Sequence, residues 1–386
     1  RGCVVESSDF GIQVSSEFTE SIVEGCKFTG GGAPGGAPPG SQWVADANLD
    51  RGAIDIGSTA AENIFRENQV LTYRTGIVTT GDKDQILGNV IDSTRSIGIS
   101  VPSGGDEPNI SGNHLINVHT LVGPKVGIQT LGVHAHINGN YISLNAGGAT
   151  DFGIQSKGLF AVIEANRVTN TSMEVWADSR VTNNQIETGT IEMPAGQLGG
   201  FYANNKTTTS LTLRSGSAQN ERLMVTANKV NTTLTVIGNN ATITGNSVGA
   251  TVVVTGNEHT LTGNEIGTTL TVTGNEGAVS GNHVGSDVTV VGNEWAISGN
   301  YTSGDLVLNG QRCTVVGNTI QGAGHDLHLA LDANIDNVLA SNYIFGSIVN
   351  DQTAATTPVG TVLVGNRVNG GLVFTAAVPV ANTANI

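Results

Sequence analysis

The chain has 386 residues and a formal net charge of −15, with 53 glycines, 13% charged residues and 4% aromatic residues. Clustered Lys and Arg are missing, which excludes a nucleic-acid partner and disfavours an anionic membrane surface. No apolar run approaches the ~18 residues of a membrane span, so no membrane insertion is expected, and a hydrophobic content of 38% is too high for a disordered chain.

Few residues favour helix, while Thr, Val, Asn and Gly suit short strands separated by tight turns. The chain opens at Arg1 without a signal peptide, so it is read as a piece of something longer. Near the start, Gly2-Cys3-Val4-Val5 and Gly25-Cys26-Lys27-Phe28 match a Gly-Asn-x-apolar pattern seen further on, with Cys in place of Asn. One rung separates them, which predicts stacked cysteines with Cα atoms about 5 Å apart, within disulfide range. The pair is read as two reduced buried thiols, with a disulfide as the alternative. Cys313 has no partner in this pattern. Residues 30–48 are dominated at first by Gly, Ala and Pro, which cannot sit in a strand ladder, and are read as a loop insertion. That loop either lies on the surface or reaches a neighbouring subunit through Trp43.

Beyond it, a small residue followed by Ile marks successive strands: Gly11-Ile12, Ala53-Ile54, Gly76-Ile77, Gly98-Ile99, Gly127-Ile128 and Gly153-Ile154. Anchor asparagines recur at Asn68, Asn89, Asn113, Asn140, Asn166, Asn184, Asn205 and Asn228. From about 228 to 318 the interval settles at 18 residues, through Asn246, Asn264, Asn282, Asn300 and Asn318. A second series, Asn239, Asn257, Asn275 and Asn293, keeps the same period, and Asn342 and Asn366 continue the first. Between anchors, segments such as Leu270-Thr271-Val272 alternate apolar and polar residues, so their apolar side chains share one face. Three such strands per repeat make a coil with an apolar bore. Stacking at ~4.8 Å pairs its backbone groups turn to turn. Counting anchors gives about 16 rungs of 18–27 residues and a rod of roughly 80 Å, with residues 1–386 in one all-β domain.

The stacked Asn column and the variable turns resemble the right-handed parallel β-helix (pectate-lyase-like) superfamily, over nearly the whole chain. The variable rung length favours this fold over the left-handed hexapeptide helix. The resemblance is most like the β-helix of a phage tailspike or tail fibre. It implies a structural, receptor-binding virion component, extracellular and homotrimeric, that contacts a cell-surface glycan and other tail proteins. The alternative it implies is a polysaccharide lyase or glycoside hydrolase, free or virion-attached. A secreted bacterial adhesin is a third reading. Low aromatic content argues against the enzyme, because sugar rings usually stack on Trp or Tyr.

No nucleophile elbow, phosphate loop or zinc spacing is present, and no cofactor is expected. Glu258, Glu276 and Glu294 follow the second Asn series as a carboxylate ladder, which allows a bound Ca2+ but does not require one. His325, Asp326, His328, Asp332 and Asp336 read as a solvated rung surface, with a metal or acid–base pair as the sharper alternative. Loop insertions concentrate in the N-terminal half, where a glycan site could be built. At one predicted corner, Asp82, Asp84, Asp106, Glu107, His134 and Lys157 fall in equivalent stretches of consecutive rungs. Carboxylates one or two rungs apart would be ~5 or ~10 Å apart, bracketing the retaining and inverting arrangements of glycoside hydrolysis. His134 or Lys157 would be the base of a lyase.

Overall fold

The computed structural model describes residues 2–7, 12–14, 20–30, 52–56, 61–71, 73, 75–94, 96–118, 125–145, 151–216, 222–330, 336–350, 360–374 and 381–383. The Gly/Ala/Pro-rich insertion beyond Gly30 and Trp43 lie outside the described residues. The chain sorts into two compact units, Arg1–Phe201 with Asn205–Thr209, and Tyr202–Asn204 with Ser210–Ile386. Each is a parallel β-solenoid. The described residues contain about 14 turns in all and no helix, consistent with a right-handed parallel β-helix.

In the first unit a turn visits three sheets in order. Gln69–Leu71 lies in sheet A, Thr75–Thr79 in sheet B and Gln85–Leu87 in sheet C, before Val90–Asp92 returns to sheet A beside Gln69–Leu71. Inward residues stack like on like. Ile54, Ile77, Ile99, Ile128 and Ile154 are paired in register along sheet B and are fully buried. The preceding small residue has a steric cause. A Cβ on Gly76 would collide with the Gly98 carbonyl and with Ile91, which fills the bore from sheet A.

The turn from sheet C to sheet A carries the ladder. The Nδ2 group of Asn68 donates to Asn89 Oδ1 at 3.0 Å, and the series continues through Asn113, Asn140, Asn166 and Asn184 to Asn205. Each of these side chains also donates to a backbone carbonyl one turn back, as Asn113 does to Ile86 at 2.8 Å. Buried amides are thus satisfied by protein groups of neighbouring turns. The cysteines occupy the same column. Cys26 N donates to Asn68 Oδ1 at 3.0 Å, Cys3 N contacts Cys26 Sγ at 3.4 Å, and the pair is disulfide-bonded with a Cα separation of 4.5 Å. The predicted register therefore holds, in the bonded rather than the reduced state.

The second unit repeats the plan with fewer irregularities. Its inner ladder runs from Asn228 through Asn246, Asn264, Asn282, Asn300, Asn318 and Asn342 to Asn366 at 2.9–3.0 Å per step. The second Asn series is a ladder too, exposed and opposite in polarity. Backbone N–H groups of Asn257, Asn275 and Asn293 donate to the side-chain oxygens of Asn239, Asn257 and Asn275. Cys313 is buried and free, and burial raises its thiol pKa.

Candidate functional site

The six residues singled out from sequence all lie in the first unit, but they occupy different kinds of position. At the corner between sheets B and C one residue per turn adopts positive φ: Glu62, Lys83, Glu107, His134, Phe160 and Asp178, at 52–61°. Their amides donate to the next turn, as Lys83 does to Asp106 O (2.7 Å) and Glu107 to Val133 O (2.9 Å). Glu107 and His134 are therefore equivalent and exposed. Asp82 and Asp106 share the preceding position. Asp82 Oδ1 accepts from Asp106 N at 3.0 Å, and Asp106 Oδ1 accepts from Val133 N at 3.0 Å. Lys157 sits earlier in its rung, just past Phe152–Ser156 of sheet B, with Nζ 4.0 Å from Glu174 and 5.8 Å over the Trp176 ring.

Asp84 is not at the edge. It is fully buried, its Oδ1 accepts from Asn63 N (2.8 Å) and Nδ2 (3.1 Å), and its Oδ2 accepts from the Thr79 hydroxyl. Burial raises its pKa, with the Thr79 bond opposing that shift. It is a bore residue that continues a short amide column. The corner thus gathers Asp82, Asp106, Glu107 and His134, whereas Lys157 turns to Glu174 and Trp176 and Asp84 is buried in the bore. His134 stacks on Phe160 with centroids 5.3 Å apart, and Phe160 and Leu159 are 47% and 39% exposed.

The same position in the second unit holds the carboxylate ladder. Glu258, Glu276 and Glu294 have φ of 58–64°, and their amides donate to Asn275, Asn293 and Gln311 carbonyls. A side chain on this corner is thrown into solvent by the backbone, which accounts for charged residues there without any chemistry. Arg312 pairs with Glu294 across one turn, Nε to Oε1 at 2.9 Å. Among the described residues, no three His, Cys, Asp or Glu side chains converge as a metal site.

Of the C-terminal polar cluster, Asp332 lies outside the described residues, and Asp336 takes the corner conformation at φ 56°. His325 Nδ1 is 3.4 Å from Asp305, and His328 Nε2 is 3.6 Å from Asp305 and 3.9 Å from Asp326. Asp305, 21 residues before Asp326, is the member that the sequence pattern missed; its carboxylate caps Asp326 N at 2.9 Å.

A different surface has the form of a binding site. The outer face of sheet A in the first unit bears an open groove of about 570 Å³ lined by His114, Ile116, Asn117, Tyr141 and Ser143. His114–Val118 pairs with Tyr141–Leu144, so His114 lies beside Tyr141 and Ile116 beside Ser143. A bulge between Ile116 and Val118 inserts Asn117 at φ 55° and swings its amide to donate to Asp92 Oδ1 at 3.0 Å. The Tyr141 ring is met edge-on by His114 (4.8 Å, 71°) and faced by the Arg167 guanidinium at 5.7 Å. Glu187 holds Arg167 in place, Nη2 to Oε1 at 3.0 Å. An aromatic ring set among donors and acceptors fits a polyhydroxylated ring better than an apolar ligand. The signal was present in the sequence: His114, Tyr141 and Arg167 each directly follow a ladder asparagine.

No family model matches the chain, no curated protein matches it, and no solved structure matches it.

Proposed function

We propose that the protein is a structural, receptor-binding component of an extracellular fibre, of the phage tail-fibre or tailspike kind, and that it recognises a cell-surface glycan. The observation that carries this reading is the groove at Tyr141. It is a shallow, solvent-open surface with one oriented ring, a fixed cation and several neutral hydrogen-bonding groups, built on rigid strands rather than on loops. An acidic chain needs no basic patch for such a ligand. Homotrimerisation and attachment to other virion proteins belong to the same reading. The enzymatic reading, a polysaccharide lyase or hydrolase, would use the corner at Asp82, Asp106, Glu107, His134 and Lys157. Asp82 and Asp106 each already hold a backbone amide of the next turn, which favours recognition over catalysis.

The test is binding to a printed panel of bacterial surface polysaccharides. The wild-type protein is expected to bind at least one glycan, and Tyr141→Ala to weaken that binding about tenfold without altering the circular dichroism. A wild-type protein that binds no member of the panel overturns the reading. Cleavage of the bound glycan that is lost on Asp106→Ala would replace it with the enzymatic one.

A further inference from the structure

The chain has five tyrosines. Tyr73 and Tyr202 are buried in the bore. The other three, Tyr141, Tyr301 and Tyr343, all occupy one structural position, immediately after a ladder asparagine (Asn140, Asn300 and Asn342) on the outer face of sheet A. Two of them belong to the second unit, where register pairing places Glu265, His283, Tyr301, Thr319, Tyr343 and Arg367 in one outward row.

Each of these two rings is backed on its outer side. The His283 ring lies 4.7 Å from Tyr301, the Arg367 guanidinium lies 4.9 Å over Tyr343, and Phe345 packs against Tyr343 at 4.8 Å. The Tyr301 hydroxyl is bonded to the Gln321 side chain. In the row itself, only Thr319 stands between the two tyrosines. Two turns of stacking set the tyrosines about 10 Å apart, which leaves room for one sugar ring between them. Thr319 is shorter than the tyrosines on either side of it, which makes a notch in the row, with the Gln321 side chain beside it. The outer row of sheet C in the same unit offers nothing comparable: Thr242, Thr260, Ala278, Ala296 and Thr314 carry neither ring nor charge.

We infer that the outer face of sheet A in the second unit is a second glycan-binding platform, which seats a pyranose ring over Thr319 between Tyr301 and Tyr343, with the polysaccharide crossing the stacking direction. It rests on the reading of the protein as a glycan-recognising one, but on separate residues. C–H faces of the sugar would lie against the rings, while its hydroxyls would meet Gln321 and Thr319.

The same printed panel distinguishes the two sites. For the glycan bound by wild-type protein, the pair Tyr301→Ala with Tyr343→Ala is expected to lower affinity about tenfold. Thr319→Arg, which fills the notch from an outward position, should do the same with an unchanged melting temperature. Thr242→Ala with Thr260→Ala on sheet C is the control that leaves binding intact. Binding weakened by Tyr141→Ala but untouched by the tyrosine pair and by Thr319→Arg overturns this platform and leaves the first-unit groove standing. Binding weakened only by the second-unit variants supports the platform and removes the groove. Absence of any glycan binding overturns both.

Discussion

At the scale of single residues, the bore tolerates polar groups only when a neighbouring turn satisfies them, and His259 tests that rule. It is fully buried, Nδ1 accepts from Ala241 N at 3.2 Å, and Nε2 has no partner. Burial lowers its pKa to about 4, so the ring is neutral in the folded chain. The unfolded chain takes up a proton below about pH 6.5, so the native state binds fewer protons in the window between. Stability is therefore full above about pH 6.5 and falls as the pH drops toward 4, by about 3 kcal/mol. Thermal melts at pH 7 and 4.5 should show the loss. His259→Asn, which installs the residue that Asn337 supplies at the same position two turns past Trp295, should reduce it. Asp84 shows what sequence parity could have told. It precedes the inward Ile86 by two residues, at the entry to Gln85–Leu87, so both face the bore, whereas Asp82 lies beyond Lys83, whose φ of 58° breaks the alternation.

At the scale of elements, the strands are too short to be stable singly, and the ladder turns are what lock one to the next. Asn282 shows the arrangement. Its Oδ1 accepts from both N and Nδ2 of Asn264, while its own Nδ2 donates to Leu261 O at 3.0 Å and to Asn300 Oδ1 at 3.0 Å. Asn282→Ala removes all of these at once and strands buried partners on both sides. A loss of about 3 kcal/mol in urea denaturation is expected, against nearly none for the exposed Asn275→Ala. The inner columns were legible because period and parity agree over many turns. The outward rows were not, because solvent places no demand on their composition. Only the positions of the rings after Asn140, Asn300 and Asn342 hinted at a surface with a purpose, and the bulge at Asn117 left no mark in the residue pattern.

At the scale of the whole molecule, the energetics of each unit are close to nearest-neighbour sums between turns. Where successive turns are alike, one should be removable. Excising residues 246–263 joins Gly245 to Asn264 and preserves every column of the second unit, leaving Ala241 to face Gly277. That variant is expected to fold and melt cooperatively near the parent temperature, whereas excision of 246–254, half a turn, should not fold; circular dichroism melts decide. The window matters. Removing 264–281 instead would set His259 against Trp295, whose ring already fills the space a Gly277 Cβ would need. Such size matching along one column cannot be read from a repeat alone, because the period shows which residues meet but not whether their volumes fit.

The opposed ladders of the second unit give the coil a direction of winding. A completed turn leaves at its C-terminal side an inner backbone N–H and amide group, the donors that Asn246 presents to Asn264. At its outer corner it leaves the side-chain oxygen that Asn257 presents to Asn275. Each finished turn is therefore a two-point template, donor inside and acceptor outside, for the eighteen residues that follow it. A slip of one residue would mismatch both points together. A chain leaving the ribosome N-terminus first would meet this template in the right order and spool onto it vectorially, one turn at a time.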